Sequence, residues 1–389
     1  MPVTDISDIR KKRRTKKFQR FLNKLIIILA AVLAVLIIYV TKDKWYPYLD
    51  GILTKIPVPE SSGELAEGYF PISITGGASY QLKSMDGNFA VIDDSHFNIY
   101  NIDGKPVIAR QHTYANPILT VSAKRALIYD LGGKQFCLYS KYDQIYEKTT
   151  ENAILLAKLS SDDHVAVVTK SDKYLSCLDV YDSKGKDIFV YKSYDSRIID
   201  VTFNADNTGC IITTIGASGG QLVSQMLYYQ FTKTDMVWQS DLIETMGLSS
   251  RLYKEDQIAV FGDTECSFYD TNGIFIGRYE YEYSLVDFDS SSTLSAILFK
   301  NQELRSSVLV IIDDILNEPI EIELDEESEK VCVYGNTVYI MTSGMLYSYS
   351  STGELVSSVS LSNDYDDFCK SGDYVFLLGY DEINRIDFN

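Results

Sequence analysis

A ten-residue motif recurs along this chain and constrains its fold more than any other feature. The clearest copies are IYNIDGKPVI at 99, VYDSKGKDIF at 180, FYDTNGIFIG at 268 and SYSSTGELVS at 348. In these copies a tyrosine is followed four residues later by a glycine; the pairs are Tyr100 and Gly104, Tyr181 and Gly185, Tyr269 and Gly273, and Tyr349 and Gly353. Tight turns need such polar residues and glycines, so the motif predicts a β-hairpin rather than a chemical site.

The spacing of the copies sets the size of the repeat. The four tyrosines are 81, 88 and 80 residues apart, and Tyr139, with Asp143 in the glycine position, lies between the first two. The period is therefore near 40, with weaker copies near Tyr229 and Ile312 and a truncated one, INRIDFN, at the end. A second hairpin signal precedes the motif, as in VTFNADNTGCIITTI at 201 and VDFDSSSTLSAILFK at 286. Two hairpins per repeat make a four-stranded unit.

Four-stranded units at this period are typical of an all-β protein, the β-propeller, in which each blade packs between two neighbours. Eight markers from Tyr100 to Ile386 predict an eight-bladed β-propeller. Seven blades remain an alternative, because the copies near Tyr229 and Ile312 are irregular, and a solenoid is a further one. The last copy lacks an outer strand, so we expect YFPISI at 69–74 to pair with it and close the ring. Pro71 suits such a one-sided strand.

The amino-terminal end predicts a membrane anchor. Residues 25–40, LIIILAAVLAVLIIYV, contain no charge, and with their flanks they predict a transmembrane helix over 21–41. The basic tail, 1–20, should stay in the cytoplasm, which places the rest of the chain outside. Residues 42–66 contain Pro47, Pro57 and Pro59 and predict a stalk, and 67–389 form the propeller ectodomain. A cleaved signal peptide fits less well, because the apolar run is long and WYPY follows it like an aromatic belt. A nuclear signal is the remaining alternative for the basic run.

Charge divides the chain into two unequal parts. The whole chain has a net charge of -18, of which residues 1–24 contribute +7 and the remainder -25. A body this acidic argues against a nucleic-acid partner. The partners that we expect are the lipid bilayer, through residues 21–41, and a protein or cell-envelope polymer.

The layout of basic tail, single helix and GYFPISITGGASYQLKSMDGNFAVIDDSHFNIYNIDGK resembles a bacterial family catalogued as domain of unknown function 5711, whose members are membrane-anchored propellers typical of clostridia-like bacteria. The strand-turn-strand pattern VTFNADNTGCIIT also resembles the inner hairpins of WD40-like and quinoprotein-like propellers, although no repeat has the Trp-Asp dipeptide. The resemblance implies a fold and a topology but no activity and no site residues.

Motifs of catalysis and metal binding are weak. GASGG at 216–220 matches a nucleophile-elbow pattern around Ser218, but the flanking runs read as two strands, so a hairpin turn is expected. The histidines, His96, His112 and His164, are interpreted as lying in different repeats, without metal-site spacing. The six cysteines fall in separate repeats, mostly inside apolar runs, which favours free thiols over disulfides.

Two weaker patterns are candidate ligand surfaces. Asp206, in the turn NADNTG, could ligate Ca²⁺, as could the run EIELDEESEK at 321–330, although solvated loops are the simpler interpretation. Tyr279, Tyr281 and Tyr283 share one face of a predicted strand; burial between blades is the default interpretation, and a binding surface is the alternative.

With no catalytic motif and no cofactor motif, the sequence predicts a membrane-tethered, extracytoplasmic propeller that acts as a non-catalytic scaffold for protein or envelope ligands. The alternative function is an envelope glycan hydrolase or lyase that uses paired loop carboxylates. A quinone-dependent dehydrogenase is disfavoured because Trp238 is the only tryptophan in the repeats.

Overall fold

The computed structural model describes residues 68–76, 79–254, 256–302 and 305–388, all within one compact unit, Pro59–Asn389. Its regular elements are 32 strands. The predicted tail (1–20), transmembrane helix (21–41) and stalk (42–66) lie outside the described residues. Within the described ranges, no helix has the length and hydropathy of a membrane span.

The strands form eight sheets of four strands each. Blade 1 contains β2 (Gln81–Met85), β3 (Asn88–Ile92), β4 (His96–Asn101) and β5 (Pro106–Gln111). Blade 2 contains β6 (Pro117–Val121), β7 (Arg125–Asp130), β8 (Gln135–Ser140) and β9 (Gln144–Thr149). Blade 3 contains β10 (Ile154–Leu159), β11 (Val165–Thr169), β12 (Ser176–Tyr181) and β13 (Asp187–Ser193). Blade 4 contains β14 (Arg197–Phe203), β15 (Gly209–Ser218), β16 (Gln221–Gln230) and β17 (Trp238–Gln239).

The second half of the ring repeats this plan. Blade 5 contains β18 (Gly247–Tyr253), β19 (Gln257–Gly262), β20 (Glu265–Asp270) and β21 (Phe275–Glu280). Blade 6 contains β22 (Ser284–Ser290), β23 (Ser295–Asn301), β24 (Ser306–Ile312) and β25 (Ile320–Leu324). Blade 7 contains β26 (Ser328–Tyr334), β27 (Thr337–Thr342), β28 (Met345–Ser350) and β29 (Leu355–Ser360). Blade 8 contains β30 (Tyr365–Ser371), β31 (Tyr374–Gly379), β32 (Glu382–Asp387) and, from the other end of the chain, β1 (Ile72–Ser73).

The eight-bladed, all-β prediction is therefore confirmed, and the seven-bladed alternative is wrong. Every pair of neighbouring strands within a blade is antiparallel, and the first strands contact one another from blade 1 to blade 5, from blade 6 to blade 8 and between blades 8 and 1, around a central channel. Buried side chains of adjacent blades form shared clusters, such as the one that joins Phe97 of blade 1 to Leu119 of blade 2. Each blade thus covers the faces of its neighbours, as the repeat spacing requires.

The ring closes between the two ends of the described chain, as predicted. In β1, Ile72 pairs with Ile383 of β32, and the Ile74 N–H donates to the Asp381 carbonyl at 2.8 Å. Phe70, just before β1, lies 6.1 Å from Phe376 of blade 8 and 6.3 Å from Phe89 of blade 1 between ring centroids. The seam is therefore held by apolar packing as well as by strand pairing.

The recurring motif forms the turn between the third and fourth strands of a blade. In blade 3, Asp182 Oδ1 accepts hydrogen bonds from the Lys184 and Lys186 N–H groups, at 2.9 and 2.8 Å. Gly185 has φ of 78°, a conformation that glycine adopts without strain. The motif is structural, in agreement with the sequence analysis.

Candidate functional site

The inner strands of the ring contribute charged side chains to a central cavity. This cavity has a volume of about 570 Å³ and lies between the inner strands of blades 1, 2 and 5–8. Its charged lining residues are Lys83, Asp86, Arg251, Asp287, Asp289, Lys330, Asp367 and Lys370. Both signs of charge are present, so the channel has no uniform field that would select cations or anions.

Channel carboxylates fasten neighbouring blades together. Asp287 and Asp289 of β22 accept hydrogen bonds from the Val331 and Val333 N–H groups of β26, at 3.1 and 2.8 Å. Asp200 of β14 accepts from the Ser250 N–H of β18 at 2.8 Å. Burial raises the pKa of Asp287 and Asp289 above the ordinary value. These aspartates have a structural use, and none of these contacts forms the opposed carboxylate pair that glycoside hydrolysis requires.

Two cysteines and a buried lysine also line the cavity. Burial raises the pKa of the Cys332 thiol to about 12 and raises that of Cys369 well above its ordinary value. These thiols are protonated at neutral pH and are weak nucleophiles. Burial lowers the pKa of Lys370 to about 8, and its ammonium donates to the Gly372 carbonyl at 2.6 Å and to the Phe388 carbonyl. Lys370 therefore ties β30 to the carboxy-terminal end of β32.

The two faces of the ring differ in character. The chain enters at Gly68 beside Asp103, in the turn between β4 and β5, and we call this side the linker face. The opposite side, formed by the turns between second and third strands and by the blade-to-blade connections, we call the hairpin face. The hairpin of β15 and β16 dominates it, because each of these strands has 10 residues where most have five to seven.

Exposed apolar side chains occur at the start of β16 and in the neighbouring segments of blades 3–5 on the same face. We define the hairpin patch as Leu175, Tyr194, Leu222, Leu242 and Leu248. Leu222, at the tip, is 57% exposed, and Tyr194, in the connection before β14, is 72% exposed. The Tyr194 ring stacks edge-on against the Tyr174 ring of blade 3, with centroids 4.7 Å apart.

The hairpin is braced on both sides by the connections that carry the patch. On one side, β14, which follows the connection that carries Tyr194, pairs with β15, and Arg197 lies opposite Ile215. On the other, the Ser224 hydroxyl donates to the Thr245 carbonyl at 2.8 Å and accepts from the Gly247 N–H at 2.7 Å. The patch residues of blades 3, 4 and 5 are therefore held in fixed positions around one projecting element.

The tyrosines proposed from sequence as a ligand surface lie between blades 5 and 6. Tyr279, Tyr281 and Tyr283 are half-buried and pack against Phe299, with the Tyr281 and Phe299 ring centroids 4.9 Å apart. The Tyr279 hydroxyl donates to Glu321 Oε1 at 2.7 Å. This placement is the burial between blades that is the default interpretation of the sequence.

Asp206 holds the turn between β14 and β15 on the linker face. Its Oδ1 accepts hydrogen bonds from the Thr208 hydroxyl at 2.7 Å and from the Asn204 side-chain amide at 2.6 Å. The Thr208 hydroxyl, followed by the Thr208 N–H, lowers the pKa of this carboxyl. The carboxylate is thus used within its own turn.

Ser218 ends β15, and Gly219 and Gly220, with φ of 59° and 87°, make the expected two-residue turn. The interpretation of the histidines was wrong in one respect, because His96 and His112 lie together at blade 1. Both lie beside Asp93, with His96 Nδ1 3.6 Å from its carboxylate and His112 Nε2 2.9 Å from its carbonyl oxygen. The rest of β4 and all of β5 separate the two histidines in sequence, so spacing alone could not reveal that they lie together.

The acidic run 321–330 is not a free loop, since its ends belong to β25 and β26 and only 325–327 connect them. In the part of the chain that the structure describes, no group of three or more His, Cys, Asp or Glu residues could hold a metal ion. The six cysteines are free and lie in six different blades.

Several solved structures share the fold. Sqt1 of Saccharomyces cerevisiae has a TM-score of 0.62 and 10% identity, covering 85% of this chain and 100% of that chain. BamB of Moraxella catarrhalis has a TM-score of 0.54 and 11% identity, covering 81% and 100%. Sqt1 of Chaetomium thermophilum, bound to the N-terminus of ribosomal protein L10, has a TM-score of 0.54 and 10% identity, covering 80% and 93%. At these identities the likeness shows the fold alone.

The chain matches no curated protein in sequence. A family model described as "Family of unknown function (DUF5711)" matches residues 69–388.

Proposed function

The chain belongs to the DUF5711 family of unknown function, and from that premise we propose that it is a non-catalytic binding module that holds a protein partner on its hairpin face. The hairpin patch is the observation that carries this proposal. Apolar side chains gathered on the surface of a soluble domain mark interaction sites, whereas single exposed ones are ordinary. Here five such residues from three successive blades lie on one face, at and beside one projecting hairpin.

The rigidity of the patch supports a binding role. Hydrogen bonds at Ser224 fix the hairpin to the next connection, so little conformational freedom is lost when a partner binds. Tyr194 provides a large contact area with few rotatable bonds, as is common at protein interfaces. A propeller of this fold, Sqt1, binds the N-terminus of a ribosomal protein, so the architecture is suited to holding a protein segment.

The chemistry of the patch favours a protein over an envelope polymer. Four of its five members are leucines, which offer no hydrogen bonds to the hydroxyl groups of a glycan. With the predicted anchor at 21–41, the partner would be an extracytoplasmic or membrane protein. Gly68, the first described residue, lies on the linker face, so a tether that joins it would reach the ring from the side opposite the hairpin patch.

The test is chemical crosslinking of the full-length chain in intact producing cells, followed by mass spectrometry of the attached proteins. We expect Leu222→Glu to reduce the yield of the principal partner about tenfold or more, because a charge in the centre of an apolar interface must be desolvated without a counter-ion. The matched control is Leu316→Glu, since Leu316 is 74% exposed on the linker face of blade 6. This variant should leave the yield unchanged.

Equal yields from both variants would contradict a hairpin-face interface, and loss of the partner only in Leu316→Glu would move the interface to the other face. Turnover of cell-wall glycans by the purified full-length protein, abolished by a single loop carboxylate substitution, would establish the enzymatic alternative instead.

A further inference from the structure

The outer strands of the blades differ in how their free edges are protected. An unpaired strand edge is a template for pairing with another chain, and proteins normally block it with charges, prolines or short strands. Among the outer strands of the described chain, β1 and β17 have two residues each. Five others carry charged residues: β5 has Arg110, β9 has Glu147 and Lys148, β13 has Asp187 and Lys192, β21 has Arg278 and Glu280, and β25 has Glu321 and Glu323.

The outer strand of blade 7, β29, is neither short nor charged. It is six residues long, LVSSVS, without a charge or a proline. Leu355 and Val356 are 54% and 57% exposed. Glu354 is the only charged residue between positions 343 and 363, in a body whose net charge is -25. The edge is therefore a neutral strip on an acidic surface.

The hydrogen-bond pattern shows which backbone groups face outward. The Leu361 N–H donates to the Gly344 carbonyl at 2.8 Å, and Val359 and Ser357 pair with Leu346 and Ser348 of β28. Because bonding alternates along an antiparallel strand, positions 357, 359 and 361 point toward β28. The N–H and C=O groups of Ser358 and Ser360 therefore point away from the blade, whereas Val356 lies at a β-bulge, where the register with β28 shifts between Ser348 and Tyr349.

From this edge we infer that β29 pairs with β29 of a second copy of the chain, antiparallel and centred on Ser358. In that register Ser358 lies opposite its own counterpart, so its outward N–H and C=O groups pair across the two-fold axis, and Val356 lies opposite Ser360. Leu355 lies opposite Leu361, and Glu354 opposite Ser362. No two charged residues face each other.

Charge explains why β29, rather than another outer strand, would pair with a second copy of this acidic chain. Two bodies of -25 each repel, so a shared edge must be free of carboxylates. Self-pairing of β25 would bring Glu321 and Glu323 against the same residues of the other copy, which destabilises strand pairing. The β29 register is symmetric, as a two-fold interface must be. Tethering both copies to one membrane would raise their effective concentration and favour even a small interface.

The test places a thiol at the centre of the proposed pair. In membranes of producing cells, full-length Ser358→Cys is treated with a short bismaleimide reagent, because the two thiols would lie on Cα atoms about 5.5 Å apart. We expect a crosslinked species of twice the 44.0 kDa chain mass. The matched control is Val190→Cys, at an outer-strand position of blade 3 that is 51% exposed on a charged strand. It reports random collisions and the reactivity of the native cysteines.

A second variant, Ser358→Cys with Val356→Lys, adds one lysine to each copy near the centre of the ladder and should reduce the dimer at least fivefold. Equal dimer yields from Ser358→Cys and Val190→Cys, or no dimer at all, would overturn the inference. A crosslinked species of another mass would also overturn it, since it would show that the edge receives a strand from a different protein. The result is independent of the hairpin patch, which lies on blades 3–5.

Discussion

Gly273 serves two purposes in its turn. Its φ is 78°, which side chains disfavour, and a Cβ at this position would lie 2.5 Å from the Trp238 ring of blade 4. The sequence predicts the first requirement from the turn pattern. The second could not be predicted, because it depends on how closely the turn of one blade approaches the outer strand of the blade before it. The same approach occurs at Gly353, whose Cβ would lie 2.6 Å from Ile320.

We expect Gly273→Ala to lower the free energy of unfolding by about 3 kcal/mol, combining the left-handed backbone with overpacking against Trp238. Gly87→Ala is the matched control, since Gly87 has φ of 66° but nothing within 4 Å of its Cβ position. It should cost only about 1 kcal/mol. Urea denaturation of both variants measures the difference. Equal losses of unfolding free energy in the two variants would show that the Trp238 ring moves to accommodate the new methyl group without destabilising the fold.

Buried thiols make stability depend on pH at the residue scale. Burial raises the pKa of Cys137 and Cys332 to about 12, from an ordinary value of 9.0. Above pH 9 the unfolded chain loses these protons while the folded chain keeps them, so each thiol lowers stability as pH rises from 9 toward 12. Lys370 has the opposite effect, because burial lowers its pKa from 10.5 to about 8. Between these two pH values the folded chain has lost this proton and the unfolded chain keeps it, so this lysine raises stability as pH rises.

We therefore expect the free energy of unfolding to be steady up to about pH 8.5 and to fall above it, with each thiol contributing up to about 1.4 kcal/mol per pH unit. Urea denaturation between pH 7.5 and 10.5 measures the slope. Cys137→Ala should reduce the slope of the free energy of unfolding against pH by the contribution of one thiol. The loss of packing in this variant does not change with pH and so leaves the slope unaffected. An unchanged slope in this variant would contradict the assignment to Cys137.

At the scale of strands, the repeat pattern predicts the hairpins and the closure of the ring, because both depend on local alternation and turn residues. It does not predict the length to which β15 and β16 project, nor the shortness of β17. The run GASGG predicts a turn whether the strands beside it are short or long. The length of a strand beyond its neighbours depends on where the neighbouring strands end. Leu222 consequently looked like an ordinary strand residue, although it lies at the tip of the hairpin patch.

The closing strand β1 allows a test of the seam. We expect Phe70→Ala to lower the free energy of unfolding by about 2 kcal/mol, because the half-buried ring fills the space between Phe89 and Phe376. Tyr69→Ala is the matched control, since its neighbouring side chain is 60% exposed. Thermal and urea denaturation give the comparison. Equal effects of the two substitutions would contradict a packing role for Phe70.

At the scale of the whole molecule, the two proposed contact regions lie apart. The hairpin patch lies on blades 3–5 and faces away from the linker, whereas the free edge of β29 lies on blade 7. Composition and periodicity predicted the ring but neither region, because each depends on which side chains neighbouring blades leave uncovered. The tyrosines at 279–283 illustrate this, since Phe299 of the next blade covers them.

The pairing of β1 with β32 also means that the ring can close only when the end of the propeller has been synthesised. Ile72 pairs with Ile383, 311 positions later. At about 5–20 residues per second, the ribosome needs about 15–60 s between the two. Until then the outer place in blade 8 is empty and the first blade has only one neighbour, with Phe89 uncovered on its free side. The blades would therefore form an open arc until β32 is made, and the pairing of β32 with β1 would turn that arc into a ring.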